Sequence, residues 1–333
     1  MLFNPAIPFL NSIFDLVTIT FVSALIILSF LSLCFIFHLR LKSKFITHLQ
    51  NFNSLWTVRS LLVLYVTLWA ITELFRLTLF RYKYLYPFFP SLAKVLRQET
   101  LCKVHIVLSL GLFEPAFLLT LLSLLNASIK NMTRNMWHVI VFVLLTCFSM
   151  ATLQGFLLFF VPLKQEVPLH FLQSSMVLEN DEADMCLCVY PLLNSVVFAV
   201  FGATYSAWFV LSCWRVLSLV INKGLRRRIY GLASVVMVAV PLQVVCLGLT
   251  MFWSPNDNVY AVVSFVAFFG VVCTGATGEG ILVIKAISDA LDAGGNHGLW
   301  GGGGGGGSGT NRHNETVSLE GEENNNQVTL RIE

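Results

Sequence analysis

Seven long apolar runs dominate the chain: Leu16–Phe37, Leu55–Phe80, Leu101–Leu125, Trp137–Val161, Tyr190–Ile221, Ile229–Trp253 and Val259–Ile287. As a helix rising about 1.5 Å per residue, each can cross a hydrocarbon core about 30 Å thick. No other feature restricts the fold so tightly. In lipid every backbone N–H and C=O must find a partner within the structure, which leaves helices or closed barrels. Barrel strands are about ten residues long and alternate in polarity, and these runs do not alternate. Composition agrees, since 56% hydrophobic and 12% charged residues over 333 positions cannot solvate the surface of a soluble domain of this size. The expected fold is all-α integral membrane, a seven-transmembrane helix bundle over residues 1–293. Residues 294–333, with Gly301–Gly307 and an Asn- and Glu-rich stretch, are expected to form a disordered cytoplasmic tail. The start MLFNPAIPFLNSIFDL has no basic n-region, so its apolar run is expected to stay as the first span.

Lys and Arg favour the cytoplasmic side of short loops. With the N-terminus outside, Arg40, Lys42, Lys44, Lys130, Arg134, Lys223, Arg226, Arg227 and Arg228 fall inside, as do Arg59, Arg215, Lys285, Arg312 and Arg331. Arg76, Arg81, Lys83, Lys94, Arg97, Lys103 and Lys164 then lie outside, and the 81–103 stretch weakens the bias. The run Arg226, Arg227 and Arg228 reads first as a topology determinant at the lipid surface, and second as a docking point for a cytoplasmic protein.

Cysteine placement supports the same orientation. Cys102 begins span three at the outer face, and the stretch DEADMCLCVYP brings Cys186 and Cys188 to the end of the second outer loop. Cys34, Cys147, Cys213, Cys246 and Cys273 sit within apolar runs, where cysteine behaves as a small hydrophobe. Every cysteine near water therefore faces one compartment, as an oxidising one would permit. A bridge from Cys102 to Cys186 or Cys188 would tether the acidic loop over span three. The alternatives are loosely packed thiols or a metal-binding Cys-x-Cys. The glycosylation acceptor patterns at Asn126, Asn131 and Asn314 would face the cytoplasm and are taken as chance matches.

The segments FNSLWTVRSLLVLYVTLWAITELFRL (52–77) and RQETLCKVHIVLSLGLFEPAFLL (97–119) resemble an uncharacterised family of plant seven-transmembrane proteins, candidate G-protein-coupled-receptor-like proteins by topology. The resemblance covers roughly residues 50–290 and implies a receptor-like seven-span plan. The switch residues of the large receptor class are missing. Span three ends in LLNASIKN without an acidic-Arg-Tyr triplet, span seven reads FFGVVCTGATGEGILVIK without Asn-Pro-x-x-Tyr, and Pro241 is not preceded by Cys-Trp. The resemblance therefore carries topology rather than G-protein coupling.

Ionisable groups inside spans are rare and costly, and they mark function by default. By helix rise, Glu73 lies about 10 Å and His105 about 6 Å below the outer ends of spans two and three. Contact between Glu73 and either His105 or Lys103 is expected, as a structural pair or part of a ligand site. Arg59 and Glu279 lie at matching depth near the inner ends of spans two and seven and are expected to pair. Gly275, Ala276, Gly278 and Gly280 would let span seven approach a neighbour closely. Glu114 falls about 20 Å deep in span three, where burial disfavours the charged form of a carboxyl. Pro115 disturbs the ladder beside it, and Gln243 in span six is at comparable depth. Glu114, Pro115 and Gln243 are expected to form a polar hinge between spans three and six. Glu73, His105, Glu114 and Gln243 are the candidate ligand-contacting residues.

No HExxH, GxSxG or CxxC pattern and no paired membrane histidines occur, so neither an enzyme nor a bound cofactor or metal is expected. The bilayer is the expected partner, and nothing suggests nucleic acid. The leading expectation is a receptor-like or scaffold protein of the plasma membrane or endomembranes, signalling across the membrane. The alternative is a small-solute or proton-linked transporter or channel. Transporters usually carry internal repeats, and none is visible.

Overall fold

The computed structural model describes residues 6–43, 55–77, 80, 98–127, 136–160, 175–178, 185–219, 223–253 and 257–291. The expected tail, the acidic cluster 181–184 and the acceptor sites Asn131 and Asn314 lie outside them. The elements run α1 (Ala6–Ser43), α2 (Trp56–Arg76), α3 (Gln98–Ile106), a π-helical segment Val107–Phe113, α4 (Glu114–Ala127) and α5 (Met136–Phe159). Strands β1 (Ser175–Leu178) and β2 (Met185–Cys188) follow, then α6 (Leu192–Leu219), α7 (Lys223–Leu249), α8 (Asn258–Gly278) and a second π-helical segment, Glu279–Lys285. Seven helices are long and apolar enough to cross a membrane, one for each of the seven apolar runs.

The third of these, Glu99–Ala127, forms the axis of the bundle. Its most apolar window is 78% buried, against 17% for the fourth, Trp137–Phe159. Around it α1 packs on α2 and α8, α2 on α4, α4 on α6, α6 on α7, and α7 on α8. The fourth helix, α5, leans on the π-helical turn of the axis from outside. Unlike a water-soluble bundle, this one is apolar outside as well as in its core, and it buries several ionisable groups. Large apolar side chains such as Phe30, Phe37, Leu145, Phe148, Trp214 and Val238 are exposed, whereas Arg59, Glu73, His105, Glu114, Gln243 and Glu279 are buried.

Two local features shape the axis. Pro115 has no N–H to give, and an interior proline normally breaks the ladder. Here the preceding turn widens instead, with the Glu114 N–H reaching the Ser109 carbonyl five residues back, as in the π-turns found at functional sites. Gly111 within that turn permits close approach of α5, since a Cβ there would stand 2.9 Å from Ala151 Cα.

The second feature is a hairpin absent from the sequence expectation, which read this region only as a loop. Strands β1 and β2 pair antiparallel, Ser175 opposite Cys188 and Leu178 opposite Met185. Cys188 at its end is bonded to Cys102, with a Cα separation of 5.3 Å, inside the usual disulfide range. Of the two candidates it is Cys188 that takes the bridge. Cys34, Cys147, Cys213, Cys246 and Cys273, the other cysteines within the helices, are free thiols.

Candidate functional site

Along α2 the polar residues Trp69, Thr72, Glu73 and Arg76 recur at helical spacing and so share one face. That face turns inward against α3 and the π-helical turn. Arg76 Nε lies 3.2 Å from Glu73 Oε2, and its Nη1 donates to Ser264 Oγ on α8 at 2.9 Å and to Tyr190 OH at 3.5 Å. His105 Nδ1 is 3.1 Å from the Thr72 carbonyl. A carbonyl only accepts, so Nδ1 carries hydrogen and Nε2 is left as the atom that can gain or lose a proton. Nε2 faces Glu73 Oε1 at 3.6 Å and Tyr190 OH at 3.5 Å.

The chain of polar contacts continues inward. Ser109 Oγ stands 3.4 Å from Glu73 Oε1 and 2.9 Å from Glu114 Oε1. Trp69 Nε1 donates to Ser109 Oγ at 3.0 Å and to Glu114 Oε1 at 3.1 Å, while its ring stacks on Phe268 with centroids 5.8 Å apart. Gln243 Nε2 on α7 donates to Glu114 Oε2 at 2.6 Å. Four of the long helices are thus joined through one carboxylate-centred network. Between its members remains a cavity of only about 10 Å³, lined by Trp69, Glu73, Arg76, Glu114, Tyr190 and Gln243, near the minimum that holds one water.

The bridge and the network are physically continuous. Tyr190 stands two residues beyond Cys188, and Tyr260 OH on α8 donates to the Cys188 carbonyl at 3.4 Å. The tether over α3 thereby sets the position of the tyrosine that touches both His105 and Arg76. Among the described residues the network stops at its inner limit. Past Glu114, α4 buries Ala116, Phe117, Leu118, Leu121, Leu122 and Leu125, and Thr120 Oγ1 donates to its own helix backbone.

A second buried carboxylate, Glu279, opens the other π-helical segment. Its oxygens accept from Ser29 Oγ at 2.8 Å and Ser32 Oγ at 3.2 Å, one turn apart on α1. The expected Arg59–Glu279 pair is not formed. Depth was matched, but Glu279 is rotated toward α1 and has serine hydroxyls where the guanidinium was expected. Gly278 beside it brings the segment against α4, since a Cβ there would meet Leu121 Cδ1 at 2.9 Å.

A family model described as "Uncharacterised conserved protein UCP031277" matches residues 4–297, a span that holds all seven long helices and both buried carboxylate sites. The chain belongs to that family. No curated protein matches it at a significant level.

For this family member the structure brings Glu73, His105, Glu114 and Gln243 into one site, and it separates Lys103 from them. Lys103 Nζ pairs instead with Glu99 at 2.6 Å, one turn back on the same helix. Trp69, Arg76, Ser109, Tyr190 and Ser264 escaped sequence reasoning. The polar stripe at 69, 72, 73 and 76 was the signal that could have found the first two. Of the basic run, Arg228 pairs with Asp289, which Lys285 also approaches at 3.4 Å, and Arg226 lies over the Tyr230 ring at 5.7 Å. Among the described residues no group of three or more His, Cys, Asp or Glu is arranged to hold a metal ion.

Proposed function

We propose that the protein is a multi-pass integral membrane protein, receptor-like in action, whose interior polar network answers to protons from the side that carries the disulfide. The apolar outer surface supports insertion in a bilayer, because a soluble monomer rarely leaves so much contiguous apolar surface exposed. The N-terminus lies outside and the C-terminus in the cytoplasm, which puts the Cys102–Cys188 bridge in an oxidising compartment at the plasma membrane or an endomembrane.

One observation carries the reading. The chain of hydrogen bonds and ion-pair contacts through Arg76, Glu73, His105, Ser109, Glu114 and Gln243 begins at the tethered end and ends at mid-depth against apolar packing. A conduit needs a polar path to both sides, whereas a sensor needs access from one. The cavity of about 10 Å³ admits a water or a proton and excludes an organic ligand in this state. Glu114 joins the axis to α7, so a change in its protonation alters the hydrogen bonds that hold those helices together.

Purified protein in liposomes tests this. Trp69, hydrogen-bonded to Glu114, serves as the reporter through the difference between wild-type and Trp69→Phe fluorescence. A pH-dependent step is expected that Glu114→Gln abolishes, with no protein-dependent proton flux under an imposed pH gradient. Sustained flux would assign a proton-linked transporter instead, and a fluorescence step unchanged in Glu114→Gln would remove the network from sensing altogether. Tail-tag digestion by protease added outside intact cells would reverse the orientation.

A further inference from the structure

At the end of the bundle remote from the disulfide, α1 and α2 together line a groove of about 350 Å³. Small-molecule sites commonly span roughly 300–1,000 Å³. Leu33, Ile36, Phe37, Arg40, Trp56 and Ser60 line it. The guanidinium carbon of Arg40 lies over the Trp56 ring, 4.1 Å from its centroid. A cation–π contact of this kind holds the cation in place while N–H groups stay available to a further acceptor. Arg40 has no carboxylate partner among the described residues, and its side chain is exposed.

We propose that this groove binds an anionic glycerophospholipid. The phosphodiester is held by the in-plane donors of Arg40, with the Ser60 hydroxyl within the same groove, and one acyl chain lies along Leu33, Ile36 and Phe37. Three observations select this occupant. The positive charge is held against the Trp56 ring and has no carboxylate partner among the described residues, which suits a phosphate able to accept two parallel N–H bonds. The walls running from it toward the bundle centre are apolar and open on the outer surface, where Leu33 and Phe37 are 42% and 61% exposed. The Arg40–Trp56 pair stands near the last turn of α1 and at the first residue of α2, the level at which tryptophan and arginine meet headgroups. In the proposed orientation this is the cytoplasmic leaflet, where anionic lipids concentrate. The inference rests on the membrane reading above but not on proton sensing.

The test uses full-length protein in nanodiscs doped with phosphatidylglycerol or phosphatidylcholine carrying a photoactivatable acyl chain, with labelled peptides mapped by mass spectrometry. Phosphatidylglycerol should label Leu33–Phe37 about fivefold more than phosphatidylcholine, the preference that one basic group near a membrane surface confers. Arg40→Gln should bring the two to parity, Arg40→Lys should leave a partial preference, and Arg215→Gln, an exposed cation near the end of α6, should change nothing. Both lipids should label the region around Phe148 on α5 equally in every variant, which reports folding and insertion independently. Equal labelling of the groove by the two lipids, or a preference that survives Arg40→Gln, overturns the site. Absence of labelling at Phe148 as well would instead overturn membrane insertion, so the two failures are distinct.

Discussion

Glu114 and Glu279 are both buried carboxylates at the edge of a π-helical segment, yet their surroundings differ in kind. Glu114 follows its segment and accepts from Trp69, Ser109 and Gln243, groups on three different helical elements. Glu279 opens its segment and accepts from Ser29 and Ser32 of a single helix. Ser109 also reaches Glu73, so the first carboxylate is linked through Ser109 and Glu73 to an arginine and a histidine near the tethered end. The second has no such continuation among its described contacts. A buried carboxylate with partners on several helices couples their positions, and one with partners on a single helix pins two helices together. The same backbone device thus serves a coupler at one depth and a fastening at the other.

The largest effect should come from cutting the first network at its cation. Arg76→Met removes the partner of Glu73 and the donor to Ser264 and Tyr190, while Glu73 stays buried. Breaking a buried ion pair from one side destabilises by about 4 kcal/mol. Some of that is recovered because His105 Nε2 faces the same carboxylate. Reversible unfolding in mixed micelles measures it. A loss no larger than that of an exposed cation such as Arg227→Met would mean that Glu73 does not depend on Arg76.

Next come the two carboxylates themselves. Glu114→Leu strands the Gln243 amide and leaves Trp69 and Ser109 only their weaker alternatives, Ser109 Oγ and Glu73 Oε1, and an unsatisfied buried donor costs about 1–3 kcal/mol before relaxation. We expect a net loss of about 3 kcal/mol. Glu279→Leu should cost only about 1 kcal/mol, because Ser29 and Ser32 can turn back to carbonyls of their own helix. Equal losses would erase the distinction between coupler and fastening. A double variant offers a sharper measure. Glu114→Leu with Gln243→Leu should lose less than the sum of the two, whereas Glu114→Leu with Glu279→Leu should be additive.

Depth was legible in the sequence and azimuth was not. Helix rise from the ends of the apolar runs placed Glu114 level with Gln243, and Glu73 level with His105, and these pairs meet. The same arithmetic placed Arg59 level with Glu279, and they do not pair. Depth follows from counting, but the direction a side chain faces depends on how each helix is rotated against its neighbours, which no single run specifies. Arg76 was missed for a related reason. Sitting at the end of its run, it counted as a loop charge for topology, although helical spacing from Glu73 already put it on the buried face. The choice of Cys188 over Cys186 was also beyond sequence, since residues two apart on a strand share a face. The hairpin itself is too short to have a clear alternating signature.

The smallest effect concerns the glycine packed beside each carboxylate. Gly111 and Gly278 would each place a Cβ at 2.9 Å from a neighbour, Ala151 Cα in the first case and Leu121 Cδ1 in the second. The distances are equal and the neighbours are not. A methyl group against a backbone Cα is relieved only by moving α5 away from the π-helical turn. Gln154 resists that movement, because its side-chain Nε2 donates to the Asn194 carbonyl at 3.1 Å and it exchanges a second contact with the Asn194 side chain. Overpacking of this kind costs about 1–3 kcal/mol, and Gly111→Ala should fall near 2 kcal/mol. A methyl group against the tip of a leucine is relieved by a change of rotamer, so Gly278→Ala should cost less than about 1 kcal/mol. Gly111→Ala should also disturb the Trp69 fluorescence, because the turn that carries Ser109 toward Glu114 contains Gly111. Gly278→Ala should leave that signal untouched. If Gly278→Ala shifts the Trp69 signal as much as Gly111→Ala does, the two π-helical segments move as one, and the fastening belongs to the coupler.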